Sequence, residues 1–294
     1  MFSLFMFNLL RHSVSAIPPG VGYFLARALV PLHYYCFPSR RAAVRSNVRH
    51  ILNNSTSSKF RELGEKHTAM LIFRSFNEFL YEFFKIPGLD RKKMEKSLTF
   101  EGLENLDSAL SEGKGAVIAT AHIGNWELGG AALAMLGYKL HVVAGVQFND
   151  WFSEHVKDMK RRLDIGVVSP EEGYRGLFRA LRGNESVVLL VDGDVFVEGL
   201  SMELFSKPAR IPSGAAALSL RTMAPVVPGY IKREGPFRFR LCIDKPILPD
   251  PQGDKTRDVE KLTEEIMSRV EGYIEQNLDQ WCIFRDVWPA ASKQ

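Results

Sequence analysis

From Ala116 onward the chain alternates short apolar runs with longer amphipathic stretches, and this alternation restricts the fold more than any other feature. The runs AVIAT (116–120), LHVVAG (140–145), SVVLLV (186–191) and PVVPGYI (225–231) have the length and β-branched content of buried strands. Between them lie helical patterns near Leu128–Leu136, Trp151–Leu163, Tyr174–Leu181 and Ser213–Arg221. Strands separated by helices imply an α/β fold with a mostly parallel central sheet covered by helices on both faces. FRFRLCI, at 237–243, alternates at period two and reads as a strand with one solvated face, and KLTEEIMSRVEGYIEQNL, at 261–278, reads as an amphipathic helix. Upstream, Ala69, Ile72, Phe73, Phe76, Phe79, Leu80 and Phe83 recur at the three- and four-residue spacing of one buried helical face, ended by Pro87 and Gly88.

A length of 294 residues, 46% apolar and 24% charged, suits a folded domain with a substantial core. The net charge of +4 hides an asymmetry. Before Glu62 the chain holds eight basic residues and no acidic one; removing them from the 38 Lys and Arg leaves 30 against 34 Asp and Glu. The same segment is rich in large apolar residues, MFSLFMFNLL and VGYFLARALVPLHYYCF, interrupted by Arg11, Arg27 and Pro31. Neither piece reaches the roughly 18 to 20 apolar residues that span a bilayer. The expectation is a helical segment over residues 1–61 lying in the interface of an anionic membrane, with apolar side chains in the acyl boundary and arginines at headgroups. A helical hairpin packed on the main domain is the alternative. Residues 62–294 form the second unit, and the polar NNSTSS at 53–58 is the loop between the two. Arginines interleaved with Phe, Leu and Val do not make a nucleic-acid surface. Cys36, Cys242 and Cys282 are too far apart for a CxxC knuckle or a disulfide framework, which fits a reducing, cytoplasmic-side location.

The stretch that carries chemistry is HIGNWE, His122 to Glu127, directly after AVIAT. On a continuous helix, five residues turn side chains about 140° apart, so His122 and Glu127 could not face one another. A strand, turn and helix would allow it: Gly124 accepts unusual backbone angles and Asn125 caps the new helix. Glu127 could then fix one imidazole nitrogen and leave the other to take a proton from an alcohol. A structural histidine beside a capped helix is equally compatible with the spacing. No HExxH, P-loop, GxGxxG or GxSxG is present, and His122 lacks a second nearby ligand for zinc.

The whole string HIGNWE closely resembles the active-site motif of the lipid A biosynthesis acyltransferases and of the related phosphatidylinositol mannoside acyltransferases. RRAAVRSNVRHIL (40–52), LSEGKGAVIATAHIGNWELGG (110–130), LRGNESVVLLVDGD (181–194) and FSKPARIPSGAAALSLRTMAPVVP (205–228) agree in order, so the resemblance covers nearly the whole chain. It implies a glycerophosphate-acyltransferase-like core at the cytoplasmic face of the inner membrane, peripheral or monotopic. The implied activity is O-acyl transfer from acyl carrier protein or coenzyme A to a lipid A-type or other glycolipid hydroxyl, without a bound cofactor or metal. By resemblance His122 is the general base and Glu127 its partner. Asn125 and Trp126 shape the pocket, while Asp192 and Asp194 occupy an acidic motif after a central strand. Lys207, Arg210 and Ser213 lie in the following loop and helix start, where two cations beside a helix N-terminus suit phosphate or phosphopantetheine. Many lipid A enzymes carry a tyrosine, arginine and proline after the strand HVVAG. Here Val146 and Gln147 stand there, Asn149 still matches, and Arg161 or Arg162 offers a later basic position. The missing arginine bears on the acceptor. A thioesterase using the same pair, or a non-catalytic lipid-binding protein, are the rival readings.

Overall fold

The computed structural model describes residues 13–14, 16–55, 58–143, 156–157, 159–168, 173–193 and 199–288. From Pro19 on, the described residues begin with three helices, α1 (Pro19–Ala28), α2 (Val30–Cys36) and α3 (Pro38–Asn54), each with proline in its first turn, where a missing N–H costs nothing. The long α4 (Ser58–Lys85) follows, kinked at Gly64, and then α5 (Arg91–Ser97). The α/β core runs β1 (Leu98–Glu101), α6 (Leu103–Ser111), β2 (Ala116–Thr120), α7 (Trp126–Met135), β3 (Leu140–Val143), β4 (Gly166–Val168), α8 (Tyr174–Arg182) and β5 (Ser186–Leu190). A hairpin of β6 (Leu200–Leu204) and β7 (Lys207–Ile211) comes next. After it come α9 (Gly214–Thr222), β8 (Val226–Gly235), β9 (Arg238–Ile243) and α10 (Lys255–Gln276).

Seven strands form one sheet in the order β1-β9-β8-β2-β5-β3-β4, and every neighbouring pair except β8–β9 is parallel. The parallel sheet read from the alternation is present. Its centre is β2, whose apolar AVIA is buried on both faces as a central parallel strand requires. Two apolar clusters fill the space on either side. One gathers Val117, Ala119 and Val187 with Leu181, Leu218 and Ile266 of α8, α9 and α10; the other gathers Ile118, Val227 and Leu140 with Leu106 and Leu128 of α6 and α7.

The hairpin replaces the expected loop around Lys207 and Arg210: Met202 pairs with Ala209 and Leu204 with Lys207, antiparallel. Its inward positions Leu204, Ala209 and Ile211 are buried, so half of this polar-looking stretch serves the core. FRFRLCI keeps its alternation through Leu241, with Arg238 and Arg240 on the accessible face, and departs at Cys242, which is buried between β1 and β8. The helices before Glu62 pack on the rest of the molecule: α1 and α2 lie against α4, while Ile51 and Phe60 enter the main core. Several of their cations are engaged internally, Arg27 with Glu78 and both Arg45 and Arg49 with Glu65. No helix among the described residues is long and apolar enough to cross a membrane.

Candidate active site

Adjacent parallel strands bring their carboxyl ends together, and the loops leaving them meet side by side. In the β2–β5 ladder Thr120 is level with Leu190, and Val191 N–H donates to the Thr120 carbonyl at 2.9 Å. Two residues beyond each partner stand His122 and Asp192. Asp192 is fully buried and accepts three hydrogen bonds: from the His122 backbone N–H at 2.7 Å, from the His122 ring at Nδ1 at 2.8 Å, and from Trp281 Nε1 at 2.8 Å. Burial by itself would raise the carboxyl's pKa. The charge on His122 and these three donors outweigh it and hold Asp192 below the usual carboxylate range. With Nδ1 donating to this carboxylate, the neutral imidazole carries its lone pair on Nε2. The histidine side chain keeps 25% exposure, against 0% for Asp192.

The carboxylate on Nδ1 is therefore Asp192, where the strand, turn and helix reading and the resemblance put Glu127. The reason lies in the turn. Asn125 caps α7, accepting from Leu128 N–H at 3.0 Å, and Glu127 falls in the first helical turn, directed at Lys160 with Nζ 3.4 Å away. Both of those side chains are largely buried, each with 12% exposure. Gly124 has φ +62°, and a Cβ there would strike the Ile231 carbonyl, so the turn requires glycine.

Trp126 stands edge-on to the His122 ring, centroids 5.0 Å apart, and stacks on Phe79 at 4.2 Å. Beneath it, Trp126, Gly129 and Leu133 of α7 enclose an apolar cavity of about 40 Å³ against Ile118, Val227 and Ile231. The C-terminal segment closes the turn from the other side. Ile123 bridges to Trp281, Cys282 N–H donates to the His122 carbonyl at 2.8 Å, and Gly124 N–H donates to the Gln280 carbonyl at 3.1 Å. Gly193, next to Asp192, leaves room for the guanidinium of Arg285 lying against it.

Asn125 is fully buried, and its amide also donates to Glu82 Oε2 at 2.9 Å. Glu82 in turn receives two hydrogen bonds from Arg233, at 2.5 and 2.8 Å, and one from the Tyr23 hydroxyl at 2.6 Å. Arg233 also faces Glu78 and donates to Ser75 Oγ. Burial alone would lower its pKa, but Glu82 and Glu78 outweigh that and bind the proton more firmly. The motif turn is thus tied through one asparagine to a buried charge network spanning α1, α4 and β8.

Among the described residues, the others singled out from the sequence make no bond to this cluster. Arg161 and Arg162 are exposed on helical chain before β4, and it is the preceding Lys160 that faces Glu127. Lys207 and Arg210 point outward from the hairpin, Arg210 donating to the Gly199 carbonyl at 3.0 Å, and Ser213 precedes α9 without capping it through its side chain. Among the described residues none of these three bonds to His122, Glu127 or Asp192. Asn149, Asp194, Val146 and Gln147 lie outside the described residues. Nor is any group of three His, Cys, Asp or Glu among the described residues placed to hold a metal. Trp281, Lys160 and Arg285 are the additions. The aromatic and basic phrase QWCIFRDVWP, at 280–289, holds Trp281 and Arg285 and is the signal that could have found them.

Residues 3–289 match the family model of the bacterial lipid A biosynthesis acyltransferases. The chain belongs to that family. It is also similar to the phosphatidylinositol mannoside acyltransferase of Mycobacterium tuberculosis, 28% identical over 223 residues that cover 74% of this chain and 68% of the relative. The protein of the same name from Mycolicibacterium smegmatis is 26% identical over 204 residues, covering 68% and 66%. Among solved structures, the 1-acyl-sn-glycerophosphate (LPA) acyltransferase PlsC of Thermotoga maritima aligns over 86% of this chain and 98% of its own, with 13% identity and a TM-score of 0.38. As a member of the lipid A acyltransferase family, the protein is an enzyme of acyl transfer, and the His122–Asp192–Trp281 cluster is its candidate active site.

Proposed function

We propose that this acyltransferase moves a fatty acyl chain from the thioester of acyl carrier protein or coenzyme A to a hydroxyl of a glycolipid, with His122 as general base. The observation that carries the reading is the His122 Nδ1–Asp192 hydrogen bond, which assigns the tautomer and leaves Nε2 as the proton acceptor. Nε2 takes the acceptor's hydroxyl proton as that oxygen attacks the thioester carbonyl. The tetrahedral intermediate then expels the thiolate, the C–S bond breaks, and the imidazolium returns the proton to sulfur. Asp192, buried and ionised, stabilises the imidazolium throughout. Glu127 and Lys160, side by side, position the acceptor. The apolar cavity under Trp126 receives the first carbons of the chain.

A glycolipid acceptor agrees with both the family and the relatives' names. Such an acceptor is reached at a membrane, and α1–α2 present a surface for it. Phe24, Leu29, Leu32 and Tyr35 are each more than half exposed, with Arg40 beside Phe37 and Arg41 beside Tyr35 as headgroup contacts. Peripheral attachment at the cytoplasmic face of the inner membrane is the location this implies.

Incubating the purified full chain with a labelled acyl thioester and bacterial lipid extract, then analysing lipids by mass spectrometry, tests the reading. The expected product is a glycolipid heavier by one acyl group, formed by the wild type and absent with His122→Ala. Release of free fatty acid unaffected by added lipid would show a thioesterase instead. Phe24→Glu/Leu32→Glu should reduce sedimentation with anionic vesicles; full retention would remove α1–α2 as the attachment surface.

A further inference from the structure

Acyl transfer at His122 makes no use of a second feature at the opposite end of the sheet. Arg175, Arg179 and Arg182 stand at i, i+4 and i+7 on α8, along one helical face, and Arg221 reaches the same cleft from the last turn of α9. Lys114, in the turn before β2, lines it from below. The cleft has a volume of about 790 Å³, which lies within the usual range for small-ligand sites. Phe178 forms part of its wall, with the Arg221 guanidinium 4.8 Å from the ring centroid. Lys114 belongs to the amino end of β2, so five strand residues, roughly 17 Å, separate this end from His122.

Among the described residues, none of the four arginines pairs with a carboxylate, and only Lys114 has one nearby, Glu112 at 3.7 Å. Elsewhere Arg45, Arg49, Arg233 and Arg240 all hold carboxylates. Complementing the helix dipole accounts for cations in the last turns, at Arg179, Arg182 and Arg221, but Arg175 stands in the first turn, where a cation is unfavourable. Like charges along one helical face repel, so the arrangement costs stability unless an anion fills it.

We propose that this cleft binds a small ligand carrying two or more phosphate groups. Guanidinium forks match phosphate oxygens in pairs, and a seven-residue separation on a helix, about 10 Å, exceeds what one phosphate spans. The concave wall disfavours a bilayer, which is flat on this scale, and the exposed apolar residues for that role lie on α1–α2. Two sources share this chemistry: the nucleotide end of coenzyme A, which rests on the donor reading above, or a separate phosphorylated effector.

Calorimetric titration of the full chain with inorganic pyrophosphate at low salt tests the site. The expected result is saturable one-to-one binding, unchanged in His122→Ala and weakened at least about tenfold in Arg179→Ala/Arg182→Ala, each lost charged hydrogen bond being worth that much. Absence of saturable binding, or equal affinity in the double variant, overturns the proposal. Arg175→Ala serves the same purpose should the double variant not fold. If the double variant raises KM for acyl-CoA with kcat intact, and adenosine 3′,5′-bisphosphate competes with the donor, the ligand is the donor's nucleotide. Lost pyrophosphate binding with an unchanged donor KM identifies a separate effector. Binding is read without turnover, so failure of the acyl-transfer reading would leave this result standing, and the reverse holds too.

Discussion

Two buried carboxylates lie on either side of the HIGNWE turn, and they serve opposite ends. Glu82 has its oxygens taken up by Arg233, Tyr23 and Asn125; Glu82, Tyr23 and Asn125 are buried, and the Arg233 side chain keeps only 6% exposure. Asp192 is just as buried, but one of its donors is an imidazole that stays partly exposed and keeps a nitrogen unassigned within the cluster. The first arrangement neutralises charge to hold helices and strands together. The second transmits charge to a ring that can still exchange a proton. Asn125 joins them, so the turn that presents His122 is only as well placed as the network behind it.

Breaking the catalytic side alone should give the largest effect on activity. His122→Ala removes the base and is expected to lower kcat by about 100- to 10,000-fold, with a stability loss of about 1 to 3 kcal/mol from the donor taken away from buried Asp192. A loss under about tenfold in a single-turnover assay would contradict the role. Breaking the network side should act on stability first. Arg233→Met strands Glu82 without a counter-charge, while Glu78 keeps Arg27 and Arg74; breaking such a buried pair costs about 3 to 5 kcal/mol. Urea unfolding reads this directly, and a cost below about 1 kcal/mol would show that the carboxylate finds other partners. Trp281→Phe sharpens the contrast by removing one donor from Asp192 while keeping most of the ring. It should destabilise by about 1 to 3 kcal/mol and reduce kcat more than KM rises.

The smallest effect is on pH. Asp192 has a folded-state pKa below its ordinary 3.8, so its contribution is fully present above that value and is lost as pH falls through the lower, folded one. Acid unfolding curves of wild type and Asp192→Asn should therefore stand apart at neutral pH, draw together as pH falls below the ordinary carboxylate pKa, and meet below the lower folded-state value.

The sheet was legible because parallel strands buried on both faces write themselves as continuous apolar runs, as AVIAT and SVVLLV do. The turn was legible for local reasons: glycine and asparagine at 124 and 125 have backbone and capping preferences that act within a few residues. The partner of His122 was not, because it follows from the register of β2 against β5, a tertiary fact placing residues 70 apart in sequence side by side. The β6–β7 hairpin was hidden for a related reason. KPARI reads as polar loop until one knows that Ala209 and Ile211 face a core, and a two-residue period over so short a stretch carries little signal. Arg233 resembles any surface cation in YIKRE, since the carboxylates that permit its burial lie 151 and 155 residues away.

The central claim is that Asp192, rather than Glu127, sets the state of the His122 ring. Nitrogen-15 NMR of the labelled imidazole across a pH titration, in wild type, Asp192→Asn and Glu127→Gln, tests it most directly. Nδ1 should be protonated and Nε2 bare in the neutral wild type, with the same tautomer in Glu127→Gln and a mixed tautomer in Asp192→Asn. An unchanged ring in Asp192→Asn together with an altered one in Glu127→Gln would contradict it.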